Sequence, residues 1–189
     1  MRLLGDTGQM PTQMVAFLRA INTGGRRLSN DALLEPFRAA GLDDVGAYQA
    51  AGNVTFLADR DPESLEAGLA PLLRAAYGFE APVFVRTADE LGARISALPF
   101  TAADLDATEG RTQITFLASP PSPAQIDDVL GLVPDEDRVA FVEREWFWLP
   151  RAGVSTSALP VVRIERILGP MTMRTVGTVE RLLAKLDRA

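Results

Sequence analysis

The sequence predicts an α+β protein built from two ferredoxin-like, split βαβ units, each an antiparallel sheet with helices on one face. Three observations predict it. Short apolar runs and amphipathic stretches follow the order strand, helix, strand, strand, helix, strand, and the order is then read a second time. Each pass takes about 75 residues, a length on the scale of a small domain. Helix starts carry capping residues, so the two kinds of element are separable along the chain.

In the first pass, Met14 to Leu18 reads as an apolar strand and Ser29 or Asn30 as the cap of a helix with Leu33, Leu34 and Phe37 inward. Gly41 ends that helix, and Pro36 is expected to kink it because proline removes one backbone donor. Val45 to Ala50 and Asn53 to Leu57 read as strands joined tightly around Ala51 and Gly52. Asp61 caps a second helix, with Pro62 in its first turn and Leu65, Leu69, Leu72 and Leu73 expected inside; Pro71 is a further irregularity. Pro82 to Arg86 is the last strand of the pass.

A helix opened by the capping box at Thr87 and Glu90 connects the passes, and Thr101 to Arg111 reads as an exposed connection. The second pass has strands at Gln113–Ala118, Arg138–Val142 and Trp146–Leu149, with a helix opened by Ser122. A helix over Ser157–Leu168, a short strand at Thr172–Arg174 and a final helix presenting Val179, Leu182, Leu183 and Leu186 complete it. The repeat is read as one of element order, not of residues. The predicted organisation is an N-terminal extension over 1–13, one unit over 14–87, the connection over 88–110, and a second unit with its terminal helix over 111–189.

Composition excludes more chemistry than any motif supplies. The 189 residues contain no cysteine and no histidine. Disulfides, thiolate nucleophiles, imidazole bases and the usual structural zinc ligands are therefore absent, and no metal or cofactor is expected. The single lysine, Lys185, falls on the solvent side of the last helical pattern, a poor setting for Schiff-base chemistry. Net charge is −6, which disfavours broad attraction to nucleic acid. No apolar run reaches the ~18 residues of a membrane span, and Met1 to Gln13 lack the pattern of a secretory signal.

The stretch Leu18–Arg27, LRAINTGGRR, carries three arginines and a glycine pair with no acid. Gly24 and Gly25 let backbone N–H groups approach an anion, a helix start follows, and Arg19 and Arg26 offer paired donors to phosphate or carboxylate, with Asn22 between them. The alternative is a strand-to-helix corner in which the glycines supply unusual dihedrals and Asn22 bonds its own backbone. Asn53 has two readings: beside Arg19 it would orient a ligand oxygen or a water, or Gly52-Asn53 is simply turn chemistry. Arg174 precedes a helix start and is either an anion contact or one half of an ion pair. Trp146 and Trp148 share one sheet face and serve either as a stacking platform or as core; Met171 and Met173 read as core filling.

The segments MVAFLRAINTGGRRLSNDALLEPFRAAGL, AYQAAGNVTF, YGFEAPVFVRTADEL and GPMTMRTVGTVERL together resemble the domain of unknown function 1697 family, over Met14 to Leu186. LRAINTGG is the most specific match, supported by GNVTF. The resemblance implies two ferredoxin-like halves in bacterial cytoplasmic proteins and no established activity. Arg19, Asn22, Gly24, Gly25, Gly52, Asn53 and Arg174 match the family pattern. Ala50 and Ala51 replace a usual Gln-Ser pair, Thr156 a usual lysine, and Thr175, Val176 and Gly177 a tryptophan flanked by asparagines.

Three functions follow from these readings. The first is a module binding a small anionic ligand through Arg19, Asn22, Gly24, Gly25, Arg26, Asn53 and Arg174. The second is a protein-interaction or homodimerising module using the tryptophans. The third is a histidine-free hydrolase of acyl or phosphoryl bonds in which Arg19 neutralises charge and Asn53 positions water. No catalytic residue is assigned.

Overall fold

The computed structural model describes residues 10–21, 27–49, 52–108 and 111–187. The chain divides into two compact units, Met1–Glu90 and Leu91–Ala189. The first contains β1 (Thr12–Leu18), α1 (Asn30–Ala39), β2 (Asp43–Ala47), β3 (Asn53–Ala58), α2 (Pro62–Tyr77) and β4 (Val83–Thr87). Helix α3 (Ala88–Ser96) crosses the division. The second contains α4 (Ala102–Asp106), β5 (Gln113–Leu117), α5 (Pro123–Leu130), β6 (Arg138–Val142), β7 (Glu145–Leu149), α6 (Val161–Leu168), β8 (Met171–Thr175) and α7 (Val176–Leu186).

Each unit has a four-stranded antiparallel sheet, in the orders β2-β3-β1-β4 and β6-β7-β5-β8. These are the two split βαβ sheets that the strand pattern predicts. The central strands β1 and β5 are bonded on both edges. In the first unit Met14, Ala16, Leu18, Val54, Phe56, Val83 and Val85 form one core with Leu33 and Phe37 of α1 and Leu65, Leu69 and Leu73 of α2. The second face of that sheet is also closed to solvent at its centre, since Val15, Phe17 and Phe84 are buried. Burial on both faces explains why MVAFL is continuously apolar rather than alternating.

Local signals hold the helices where the sequence puts them. Ser29 accepts from Ala32 N at 3.2 Å and Asp61 from Ser64 N at 2.9 Å. The capping boxes at Thr87/Glu90 and Ser122/Gln125 both form. Helix α1 runs on through Pro36, which is buried within it. Several expectations shift. Strand β2 runs over Asp43–Ala47, starting two residues before the expected Val45 and ending before Tyr48. Leu72 of α2 is exposed rather than inside. The connection after α3 contains the short helix α4, capped by Thr101 and Asp104. Strand β1 starts at Thr12, two residues before the expected Met14. Helix α6 starts at Val161, not Ser157.

Ser157 has a different task. Asp137 is buried and accepts from Ser157 Oγ at 2.5 Å, Trp148 Nε1 at 2.9 Å and Arg151 N at 3.0 Å. Ser157 Oγ in turn accepts from Leu159 N at 3.0 Å. One carboxylate thus ties the segment after β7 to the sheet and satisfies a buried indole.

The repeat extends to individual residues, which element order alone does not reveal. Val15 faces Arg86 as Ile114 faces Arg174, and Met14 faces Thr87 as Gln113 faces Thr175. Phe17 faces Asn53 as Phe116 faces Glu145. Leu18 N donates to Gly52 O at 2.7 Å, and Leu117 N donates to Arg144 O at 2.9 Å. Arg86-Thr87 and Arg174-Thr175 are therefore the same positions of a duplicated unit.

Two stability outcomes follow. Asp137→Ala takes the acceptor from three donors, the buried Trp148 indole among them, and urea denaturation is expected to show a loss of about 2–4 kcal/mol. Tyr77 Oη donates to Leu33 O at 2.6 Å, and burial raises the phenol above its ordinary range. A raised folded-state pKa contributes stability that is complete below the unfolded value of ~10 and is lost as pH climbs past it. The stability difference between the native chain and Tyr77→Phe, measured by denaturation between about pH 8 and pH 11, should accordingly shrink with rising pH.

Candidate functional site

The C-terminal end of β1 carries several residues of unusual backbone; Asp44, at the start of β2, is a further non-glycine residue of the first unit with left-handed φ. Arg19 follows β1; its N–H donates to Pro82 O at 2.9 Å, and its residue is half-buried. Ala20 and Gln49 adopt left-handed φ values of 62° and 54°. Alanine and glutamine pay a steric penalty there that glycine avoids. Gly52 lies in the same cluster with φ 73°. A Cβ on Gly52 would stand 3.0 Å from Ile21 Cβ and 3.1 Å from Leu18 Cβ. The glycine is thus required twice, for its dihedral and for the close approach of the chain leaving β1.

Asn53 is brought beside β1, opposite Phe17. Its side chain is fully buried, and Nδ2 donates to Tyr48 O at 3.1 Å while Tyr48 N donates to Asn53 O at 2.9 Å. The amide therefore closes the β2–β3 hairpin, as the turn-chemistry reading has it. Asn22, Gly24, Gly25 and Arg26 lie outside the described residues, as do Ala50 and Ala51. Arg27 is exposed.

Arg174 belongs to the second unit and is half-buried on β8. Its Nη1 donates to Thr172 Oγ1 at 2.9 Å and Met173 O at 2.8 Å. Burial pushes the guanidinium down to about 10, so it stays charged at neutral pH. The start of α7 is served instead by Thr175, whose Oγ1 accepts from Thr178 N at 3.1 Å. Arg86, the equivalent of Arg174 in the first unit, donates to Val85 O at 2.7 Å and pairs with Glu66 Oε1 at 3.1 Å. That same oxygen accepts from Val85 N at 2.7 Å, so Glu66 binds the edge of β4 and neutralises a buried charge together.

Trp146 and Trp148 lie in the core of the second unit with Leu117, Val129, Ile164 and Met171. Met173 packs against the same cluster. No group of acidic side chains able to hold a metal occurs among the described residues. An open groove along α2, lined by Ala70, Pro71, Arg74, Ala75 and Glu80, contains none of the predicted site residues.

Sequence reading missed the Glu66–Arg86 pair and the Asp137 knot. Asp137 ends the run Asp135-Glu136-Asp137, which looks like solvated charge throughout. Nothing local distinguishes the one acid that turns inward.

The family model described as "Protein of unknown function (DUF1697)" matches residues 11–147, most of the chain. The chain belongs to the DUF1697 family. This DUF1697 chain is also similar in structure to the conserved bacterial protein SP0830 from Streptococcus pneumoniae, with a TM-score of 0.72 and 19% identity, over 93% of this chain and 99% of that one. The likeness supports the fold. Among curated proteins none matches the chain. The family match ends within β7, so it includes Arg19, Gly52 and Asn53 but not Arg174. No helix among the described residues is long and apolar enough to cross a membrane.

The double demand on Gly52 can be measured against Gly41, which has φ 77° but open space where a Cβ would stand. Gly41→Ala should cost about 1 kcal/mol from the dihedral alone. Gly52→Ala should cost about 2–4 kcal/mol, because overpacking adds to it. Paired thermal and urea denaturation of the two variants checks the difference.

Proposed function

We propose that the first unit binds a small anionic ligand, bearing phosphate or carboxylate, at the C-terminal end of β1. The observation that carries this reading is the meeting there of Arg19 with three left-handed residues, Ala20, Gln49 and Gly52. Backbone of this kind persists only where its surroundings hold it, and it gathers at ligand clamps. From this point the sequence continues into Asn22, Gly24, Gly25 and Arg26, the residue types that grip an anion through backbone N–H groups and guanidinium, before α1 begins. The family's cytoplasmic setting is part of the same proposal.

Arg174 is not assigned to this ligand, because its carbonyl hydrogen bond repeats that of Arg86. The hydrolase reading loses its water-positioning group, since the Asn53 amide is fully buried and bonded to Tyr48 O. The interaction reading loses its anchors, since both tryptophans are core residues.

Isothermal titration with inorganic phosphate, a phosphomonoester and a dicarboxylate tests the proposal. Binding of at least one probe is expected, weakened by about 1.5–3 kcal/mol, roughly tenfold to 150-fold, in Arg19→Ala. Arg163→Ala, an exposed arginine of α6, should leave it unchanged. Silence with every probe, or indifference to Arg19→Ala, would overturn the assignment.

A further inference from the structure

Two polar side-chain atoms in the core of the second unit, Thr115 Oγ1 and Trp146 Nε1, have no hydrogen-bond partner in the protein. Both residues are completely buried. They are not scattered: Thr115 and Trp146 stand directly opposite each other across β5 and β7, so their side chains leave the sheet on the same face as neighbours. That face is the one packed with helices, because Trp146 and Trp148 share their core with Val129 of α5 and Ile164 of α6.

The duplicated frame shows that the fold has no need of polar groups here. Thr115 lies between Trp146 and Met173, and the equivalent row of the first unit is Val54, Ala16 and Val85, entirely apolar. Trp148, two residues along the same strand, shows the satisfied state of an indole in this core, donating to Asp137 at 2.9 Å. Buried polar groups are paired with protein or with ordered water, because leaving them unmet forfeits their hydration with no return.

The surroundings select the occupant. Trp146 stacks on Phe141 with ring centroids 6.3 Å apart, and Met173 flanks Thr115. An ion in such an apolar setting would lose far more hydration than one indole and one hydroxyl restore. A neutral, water-sized molecule fits the available chemistry: it accepts from the indole, which only donates, and donates to the hydroxyl oxygen, which accepts. We propose that Thr115 and Trp146 form an internal hydration site, with one water bridging Trp146 Nε1 and Thr115 Oγ1.

The near-isosteric variant Thr115→Val separates a wet site from a dry one by the sign of its effect. If water bridges the pair, Thr115→Val removes one of its partners and lowers Tm by about 2–4 °C. If the pair is dry, the same change removes an unsatisfied hydroxyl and raises Tm, which would overturn the proposal. Thr115→Ser keeps the hydroxyl and serves as the second variant. A crystal structure of the native chain and of Thr115→Ser should show an ordered water within about 3.2 Å of both polar atoms. A well-ordered core with no such density in the native chain ends the idea, whatever the variants do.

Discussion

Double-sided pairing of the central strand is the constraint on which each unit depends. Strand β1 is held by β3 on one edge and β4 on the other, and β5 by β7 and β8 in the same manner. Because side chains alternate across a sheet, a slip of one residue would send Met14, Ala16 and Leu18 out of the helix-facing core and Val15 and Phe17 into it. That register also fixes where β1 stops. Leu18 N is spent on Gly52 O and Arg19 N on Pro82 O, so the chain leaves the sheet between the β2–β3 hairpin and the approach to β4.

The candidate site is a consequence of this exit. The departing segment crosses so close to the hairpin that only glycine fits at position 52, and Ala20 and Gln49 bend through left-handed conformations on either side. Asn53 then has a structural duty, locking the hairpin through Tyr48, which leaves Arg19 as the described side chain through which the strand end meets a ligand in the proposed function. The matching position in the second unit is built differently. Arg144 stands where Gly52 does and Glu145 where Asn53 does, with Arg94 of α3 paired to Glu143 and, at 3.3 Å, to Glu145. The duplicated frame has kept the pairing scheme and changed the chemistry at the strand ends.

Much of the fold was legible because its signals are local. Capping at Ser29, Asp61, Thr87 and Ser122 depends on atoms three residues away, and each cap forms as read. Errors fell where distant contacts decide. Leu72 has the spacing of a buried residue but lies at the margin of the α2 stripe, and only packing shows which leucine the sheet covers. The helix expected from Ser157 starts only at Val161, and the Ser157 hydroxyl is instead bonded to Asp137, twenty positions earlier in the chain.

Taken alone, the sequence determined the strand order, the capped starts of α1, α2, α3 and α5, the two split βαβ sheets and the exclusion of thiol and imidazole chemistry, because periodicity, short-range hydrogen bonding and composition suffice for these. Tertiary structure alone decided that Arg86 and Arg174 occupy one repeated position, that Asn53 closes a hairpin, and that Thr115 and Trp146 meet inside the core. Those are pairings between residues far apart in the chain. Strand register sets them, and no single stretch of sequence carries the register of its partner.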